Sequence, residues 1–527
     1  MPSRLPDAAT AIGMGMERAT IADETSHLLE VRREKLERIR SKGLEPFQYG
    51  FSRSHGLNPA RELFETQEAE DRLDEDAKGE RVRVAGRLVS FRSHGRSAFA
   101  HMEDASGKLQ AYFRKNVLGE EAFADLELLD LGDWVGLEGR LFRTRTGEVT
   151  VEALEWHLLT KSLRPLPIPK VEEDPETGER KVYSGFSDTQ SRYRQRYADL
   201  AVHPEVREIF RTRSRIVGAI RAFLDERDYL EVETPILQPL YGGAAARPFV
   251  THHNALDRPF YLRIADELYL KRLLVGGFER VYEIGKDFRN EGVDRSHNPE
   301  FTMLEFYEAF SDYRDMMDGV EALLQHVARE AVGSEEVLYQ GRTVSFASPF
   351  RRLSFVEALE AELGASPLDL SHEELRSRAE ALELPDLTGA GRGKLLDKLF
   401  GELVEPGLQD PTFVVDYPRE LSPLAKGKRG DDRLTERFEL YVAGQEVANA
   451  FSELNDPDEQ RARLEDQARL HAEGDEEAHP VDEDFVRALE YGMPPTGGVG
   501  LGVDRLTMIL TDQASIREVI LFPALRT

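Results

Sequence analysis

The sequence predicts an α+β protein: a five-stranded β-barrel, then a larger domain in which helices flank antiparallel strands. Three observations carry this. From Arg81 to about Trp156, apolar residues recur at every second position in short runs broken by glycine and aspartate. Beyond His203 the apolar period lengthens to that of a helix, then returns to two in paired runs rich in Arg and Glu. The 527 residues, 40% of them hydrophobic, are too many for one ordinary domain and enough for a real core.

The chain opens with a loose tail over 1–24. From Thr25 to Lys42, Leu28, Leu29, Val31, Leu36 and Ile39 fall near helical spacing, within a helical segment over 25–78. Its outer side carries Arg32, Arg33, Lys35, Arg38, Arg40 and Lys42, either a solvated face or a contact for a polyanion. The barrel strands are VRVAGRLVSFRS, SAFAHMEDA, GKLQAYFRK, DWVGLEGRLFRT and GEVTVEALEW, with a helix, EEAFADLELL, between the third and fourth. That order fits an OB-fold over 79–163, a small barrel that often binds oligonucleotides. Phe99 and Gln110 lie on strands two and three, where such a barrel reads bases. A ring stacks on any base and an amide reads one edge. Core packing explains Phe99 equally well.

Proline-rich RPLPIPK ends the barrel, a polar link spans 164–185, and the second domain runs over 186–527. It opens with a helix whose stripe is Val206, Ile209, Phe210, Val217, Ile220 and Phe223. A strand through Leu230 and Val232 follows, closed by Pro235. Residues 313–332 and 354–405 read as helical, the latter an insertion whose polar helices carry no obvious chemistry. The acidic stretch 456–484 reads as a solvated helical face.

The 69 Lys+Arg against 98 Asp+Glu leave a net charge of −29, which argues against a general nucleic-acid binder but allows a local basic face. Cysteine is absent, so disulfides, thiolate zinc sites and a cysteine nucleophile are excluded. No run of about 18 apolar residues occurs, so a soluble, cytoplasmic protein is expected. His252 and His253 have no third ligand at zinc spacing and read as structural.

The chemistry concentrates in KDFRNEGVDRSHNPEFTMLEFYEAF, Lys286 to Phe310. YEIGKDFRN and FTMLEFYEAF alternate as strands around a long loop. An antiparallel pair sets Arg289 and Glu291 at one strand's end and Glu305 and Tyr307 on the next. Charges enter a sheet only with partners. An arginine fork matches phosphate or carboxylate, and a facing carboxylate holds an amine; an internal ion-pair network is the other reading. ERFELYVAGQEVANAFSEL holds a further hairpin. A two-residue turn at Ala443–Gly444 sets Tyr441 against Glu446 and Glu439 against Ala448, leaving Glu439 and Glu446 diagonal on one face. Like charges that close call for a cation, and Mg2+ uses oxygen ligands beside phosphates. Asn449 and Glu453 follow as polar residues among apolar ones. PPTGGVGLGVDRLTMIL is a glycine-rich turn into a helix, with Arg505 placed to stack on a base or hold a phosphate. Together these suit in-line attack of a substrate carboxylate on an α-phosphate, catalysed by positioning and charge.

The same stretches, with HPEVREIFRTRSRIVGAIRAFLDERDYLEVETPIL, ARPFVTHHNALD and ELYLKRLLVGGFERVYEIGKDFRNEG, resemble class II lysyl-tRNA synthetases over about residues 25–525. The resemblance implies an OB-fold anticodon domain, a class II catalytic domain on an antiparallel sheet, and a homodimer. It implies activation of L-lysine by ATP and Mg2+ and transfer of lysine to tRNA(Lys). By resemblance Arg289 grips the α-phosphate, Glu291 and Phe301 hold adenine, His297 lies toward the distal phosphates, and Arg505 completes the clamp. Glu439 and Glu446 resemble the carboxylates nearest magnesium. Gly243 and Glu267 resemble the α-amino side of the lysine site; Glu305, Tyr307, Asn449 and Glu453 resemble its side-chain and carboxylate contacts, with the ε-ammonium chiefly on Glu305. Phe99 and Gln110 resemble readers of the central anticodon uridine, and the helix from Arg32 to Lys42 an added grip on tRNA. PLYGGAAA before the site and RYADL for the usual RYLDL depart from the pattern without removing a polar contact. The alternatives are a sister synthetase for aspartate or asparagine, a lysine ligase acting on a protein, and a non-catalytic RNA-binding protein. An acidic pocket argues against the first and the barrel against the second. The third has no need of Arg289 or the Glu439/Glu446 pair.

Overall fold

The computed structural model describes residues 27–167, 170–173, 180–183, 186–385, 387–472 and 480–525. The tail expected over 1–24 and residues 168–169, 174–179 and 184–185 of the link lie outside the described residues. The chain divides between Phe186 and Ser187 into two compact units.

In the first unit, helix α1 covers 27–41 and α2 covers Leu57–Ala69. Strands β1 (Lys78–His94), β2 (Ser97–Glu103), β3 (Lys108–Arg114), β4 (Trp134–Arg143) and β5 (Val149–Thr160) close a barrel in the order β1-β2-β3-β5-β4. A helical segment over 115–128 joins β3 to β4. The alternation seen in the sequence is the alternation of the barrel wall. Ala98, Ala100, Met102, Leu109, Ala111 and Phe113 point into the core, which Leu57, Ala60 and Phe64 of α2 plug. Phe99, His101, Gln110 and Tyr112 remain partly exposed.

One expectation for α1 is corrected. Its basic residues do not form one outward row. Arg32 is buried and donates to the carbonyls of Ser162 at 2.9 Å and Leu131 at 3.0 Å. Lys35 pairs with Asp130 at 2.8 Å, and Arg38 and Lys42 pair with Glu127 and Asp125. These charges pin the helix to the acidic 125–130 segment of its own unit.

The second unit is built on an eight-stranded sheet. Its strands are β6 (Leu230–Glu231), β7 (Arg280–Phe288), β8 (Glu300–Ala309), β9 (Arg351–Ser354), β10 (Thr412–Val415), β11 (Arg437–Val442), β12 (Gln445–Ser452) and β13 (Thr496–Gly502). The order is β9-β10-β11-β12-β13-β8-β7-β6. The six central strands are antiparallel, and a parallel pair closes each end. Parallel neighbours need a crossover. Between β9 and β10 that crossover is the helical insertion, Phe355–Leu363, His372–Ala381 and Arg392–Leu403, with its own core around the stacked rings of Phe355 and Phe400.

Helices α3 (Pro204–Asp225) and α4 (Tyr313–Val332) cover one face of the sheet. Leu304 and Phe306 of β8, Ala448 and Ala450 of β12, and Val499 and Leu501 of β13 pack there against Ile216, Ile220, Val320 and Leu324. The intervening residues of these strands point to the opposite face and line a cavity. Among the described residues no helix is long and apolar enough to cross a membrane.

Candidate functional site

The three central strands set the geometry. On β13 the sequence Gly498-Val499-Gly500-Leu501-Gly502 sends its apolar side chains to the helices and offers bare backbone to the cavity. Glu305 of β8 and Asn449 of β12 both pair with Gly500. Two strand spacings separate them, about 9–10 Å, and the glycine strand is the floor between. A Cβ on Gly498 would lie 2.0 Å from Glu453 Oε1 and 2.4 Å from Tyr307 Cε1. The site therefore requires glycine there.

The cavity has a volume of about 370 Å³. Gly243, Glu267, Arg289, Glu291, His297, Phe301, Glu305, Tyr307, Glu446, Asn449, Glu453 and Arg505 all line it. At one end, Arg289 leaves β7 and its guanidinium sits 5.1 Å from the centre of the Phe301 ring. Arg505, the third residue of the helix Val503–Leu510, donates to the Glu446 carbonyl at 2.7 Å and to Glu446 Oε2 at 3.2 Å. Its other nitrogen lies 3.4 Å from His297 Nε2, and Asp294 holds that ring's Nδ1 at 2.9 Å. This end sets Arg289 and Arg505 beside the carboxylates of Glu291 and Glu446 and is partly exposed.

The other end is acidic and buried. Tyr307 donates to Glu305 Oε2 at 3.0 Å and the Asp266 amide to Oε1 at 3.3 Å. Burial, then the Asp287 and Glu267 charges, push the Glu305 carboxyl up to about 8. Burial likewise raises Glu267 and Glu453, while Lys271 opposes it. Gly243, at φ +95°, brings its backbone against Glu267, where a Cβ would lie 3.3 Å from that side chain.

Glu439 requires a correction. The turn at Ala443–Gly444 forms, with both φ positive, and Tyr441 pairs with Glu446. A register shift between Leu440 and Tyr441 then sets Glu439 opposite Asn449 rather than Ala448. Glu439 is buried behind the cavity wall. Tyr417 and Tyr441 donate to its Oε2 at 2.8 and 2.6 Å, and Arg437 to Oε1 at 2.5 Å. Burial raises it to about 6, Arg437 opposing and the Glu446 charge adding to the rise. The insertion also reaches this neighbourhood: Tyr441 donates to Glu405 at 3.0 Å, and burial pushes Glu405 up to about 7.

Several residues escaped the sequence reading. Arg263, almost wholly buried, pairs with Asp266 at 2.8 Å, Glu283 at 2.6 Å and Asp287 at 3.3 Å, bracing the strands behind Glu305. Lys271 lies between Glu267 and Glu453. The Glu-to-Lys spacing of four in ELYLK is a helical pairing signal that points to it. In the barrel, Gln110 is already held. Its amide nitrogen donates to Glu148 at 2.7 Å and its oxygen accepts from Thr150 at 2.8 Å. His101 bonds the other Glu148 oxygen at 2.9 Å, and Phe99 stacks on Tyr112 at 4.4 Å.

An antiparallel sheet whose cavity holds arginines at one end and buried carboxylates at the other, with an OB barrel in a separate unit, has the make-up of an aminoacyl-tRNA synthetase of class II. The comparisons agree. Residues 188–526 match the family model of tRNA synthetases class II (D, K and N), and 82–159 that of the OB-fold nucleic acid binding domain. The chain belongs to this class II family. It is 50% identical over 504 residues to the lysine–tRNA ligase of Carboxydothermus hydrogenoformans, covering 95% of this chain and 99% of that one. It is 49% identical over 512 residues to that of Pelotomaculum thermopropionicum, covering 96% of each. Over 518 residues it is 48% identical to that of Christiangramia forsetii, covering 97% of this chain and 88% of the relative.

Proposed function

We propose that the protein is a lysine–tRNA ligase. It joins the carboxylate of L-lysine to the α-phosphorus of ATP, with the bond to pyrophosphate breaking, and then passes the lysyl group to the terminal adenosine of tRNA(Lys), releasing AMP. One observation carries this beyond family membership. The cavity holds arginines at one end and three buried carboxylates, Glu267, Glu305 and Glu453, at the other. An aspartate side chain would meet repulsion there; a second ammonium meets partners.

In this reading Phe301 and Glu291 take the adenine, and Arg289 faces both the α-phosphate and the lysine carboxylate. Arg505 and His297 take the outer phosphates. The attacking group is the substrate's own carboxylate, so the protein supplies orientation and charge rather than a nucleophile. Gly243 and Glu267 take the α-amine, and Glu305, Tyr307 and Glu453 the ε-ammonium, with Asn449 at the carboxylate. Mg2+ fits the donor set at the phosphate end. Glu446, in the cavity wall, would hold it together with substrate phosphates, whereas Glu439 stands behind with its oxygens taken by Tyr417, Tyr441 and Arg437. The ion would supply neutralisation of phosphate charge at that end. Phe99 and Gln110 read the anticodon.

A homodimer is part of this reading. Leu230 of the edge strand β6 and, in the segment that follows it, Ile236, Leu237, Leu240 and Val250 are large, apolar and exposed. A sedimentation mass near the 59.7 kDa of one chain would count against it. A cytoplasmic location goes with the activity, and cell fractionation checks it. The chemistry is tested by Glu305→Gln in lysine-dependent ATP–pyrophosphate exchange. A hydrogen bond to a charged group contributes about 1.5–3 kcal/mol, so the lysine KM should rise roughly tenfold or more with the ATP KM unchanged. An unaltered lysine KM would remove Glu305 from the pocket.

A further inference from the structure

The ammonium of Lys271 is sealed inside the second unit, with no solvent exposure of its side chain. It stands one helical turn after Glu267, in the helix Glu267–Val275. It pairs with Glu267 Oε1 at 2.5 Å and with Glu453 Oε2, and lies 5.3 Å from the centre of the Phe451 ring. Glu267, Phe451 and Glu453 line the cavity, whereas Lys271 does not. The ammonium thus meets both carboxylates from behind.

The two oxygens of Glu453 have different surroundings. Oε2 faces Lys271, and Oε1 faces the space kept open by Gly498. Among the described residues neither receives a well-aligned hydrogen bond, although the side chain is fully buried. A buried carboxylate left so is costly without a cation, and it takes up a proton if the cation is withdrawn.

We propose that Lys271 is a positioning residue for the amino-acid substrate: it holds one oxygen of Glu267 and one of Glu453, and so favours the charged form of both carboxylates and leaves their other oxygens turned to the substrate's ammonium groups. This rests on the reading of the cavity as the lysine site. The charged neighbours that share the field are Arg437 on Glu267, and Glu267 and Glu305 on Glu453; Asp287 acts on Glu305. Without Lys271, Glu267, Glu305 and Glu453 converge uncompensated, and protons replace the lost charge. An incoming ammonium must then displace those protons, so the defect shrinks as pH rises.

The test uses the full-length protein in lysine-dependent ATP–pyrophosphate exchange from about pH 6.5 to about pH 9, where linkage turns each proton displaced into up to about tenfold per unit. For Lys271→Met the lysine KM, as a ratio to the native value, should be about tenfold or more near neutrality and fall several-fold toward pH 9, with the ATP KM within about twofold. Lys271→Arg, which keeps the charge, should recover part of the loss. A ratio near one, or a ratio constant with pH, overturns the proposal, because a packing void has no proton to lose. If Lys271→Met does not fold, Lys271→Met/Glu453→Gln removes both members of the pair. That double variant should show a higher lysine KM than Glu453→Gln alone, because Glu267 has also lost its cation, with a normal ATP KM; a lysine KM equal to that of Glu453→Gln overturns the proposal. A native protein that fails to exchange with lysine at all would instead overturn the lysine-site reading.

Discussion

Burial first, and then Asp287 and Glu267, push the Glu305 carboxyl up to about 8, which favours its protonated form in the free protein at neutral pH. An arriving ammonium favours the ionised form, so lysine binding expels that proton. Affinity for lysine should therefore rise between about pH 6 and about pH 8, by up to about tenfold per unit for one proton. The stability sign is the reverse. A carboxyl raised on folding stabilises the empty protein fully below the unfolded value of 4.5 and loses that contribution as pH rises through about 8. The lysine-induced rise in Tm should accordingly be larger at pH 8 than at pH 6. Calorimetry in buffers of different ionisation enthalpy measures the released proton; a heat independent of buffer would mean Glu305 is already ionised. At this scale the sequence showed the residues that face the cavity, since charge amid strand alternation stands out at Arg289, Glu305 and Glu453. It hid the layer behind them. Arg263 and Lys271 sit among ordinary polar helix and strand residues, and only packing reveals that neither reaches water.

Strands were legible where one face is apolar. The pairs β7/β8 and β11/β12 follow from alternation and turn residues, and the helix over 313–332 is found at Tyr313–Val332. Register inside a pair was not legible, because the shift after Leu440 has no sequence signature; it moved Glu439 from the cavity wall to a tyrosine-lined niche. The insertion was visible as helices but not as the crossover of a parallel pair, which depends on β9 and β10 meeting. The strongest element-level constraint is β13. Replacing Gly498 by alanine puts a methyl 2.0 Å from Glu453 Oε1 and against the Tyr307 ring. Overpacking of this kind costs about 1–3 kcal/mol. The floor of the proposed lysine site must rise, so Gly498→Ala should lower Tm and raise the lysine KM more than the ATP KM. Equal effects on both substrates, read in the exchange assay, would contradict the placement of Gly498 under the lysine end.

For the molecule as a whole, a net charge of −29 sits with a proposed RNA partner. Salt weakens phosphate contacts steeply, and the basic row of α1, which suggested a compensating grip, is largely neutralised by Asp125, Glu127 and Asp130. In the proposed tRNA complex, recognition then falls more heavily on the barrel face, where aromatic rings offer stacking that tolerates any base. Gln110 stands there with its orientation set by Glu148 and Thr150, beside the ring pair of Phe99 and Tyr112. Because barrel and cavity belong to different units, damage to one should spare the chemistry of the other. Phe99→Ala removes one stacking ring, which elsewhere is worth about 1–3 kcal/mol per base, so kcat/KM for tRNA should fall roughly 5- to 150-fold. Tyr112 keeps part of the platform, which sets the expectation toward the smaller figure. Lysine-dependent pyrophosphate exchange without tRNA should be unchanged. A matching loss of exchange would mean that the barrel supports the catalytic unit directly, and undiminished charging would mean that Phe99 serves the barrel's own packing.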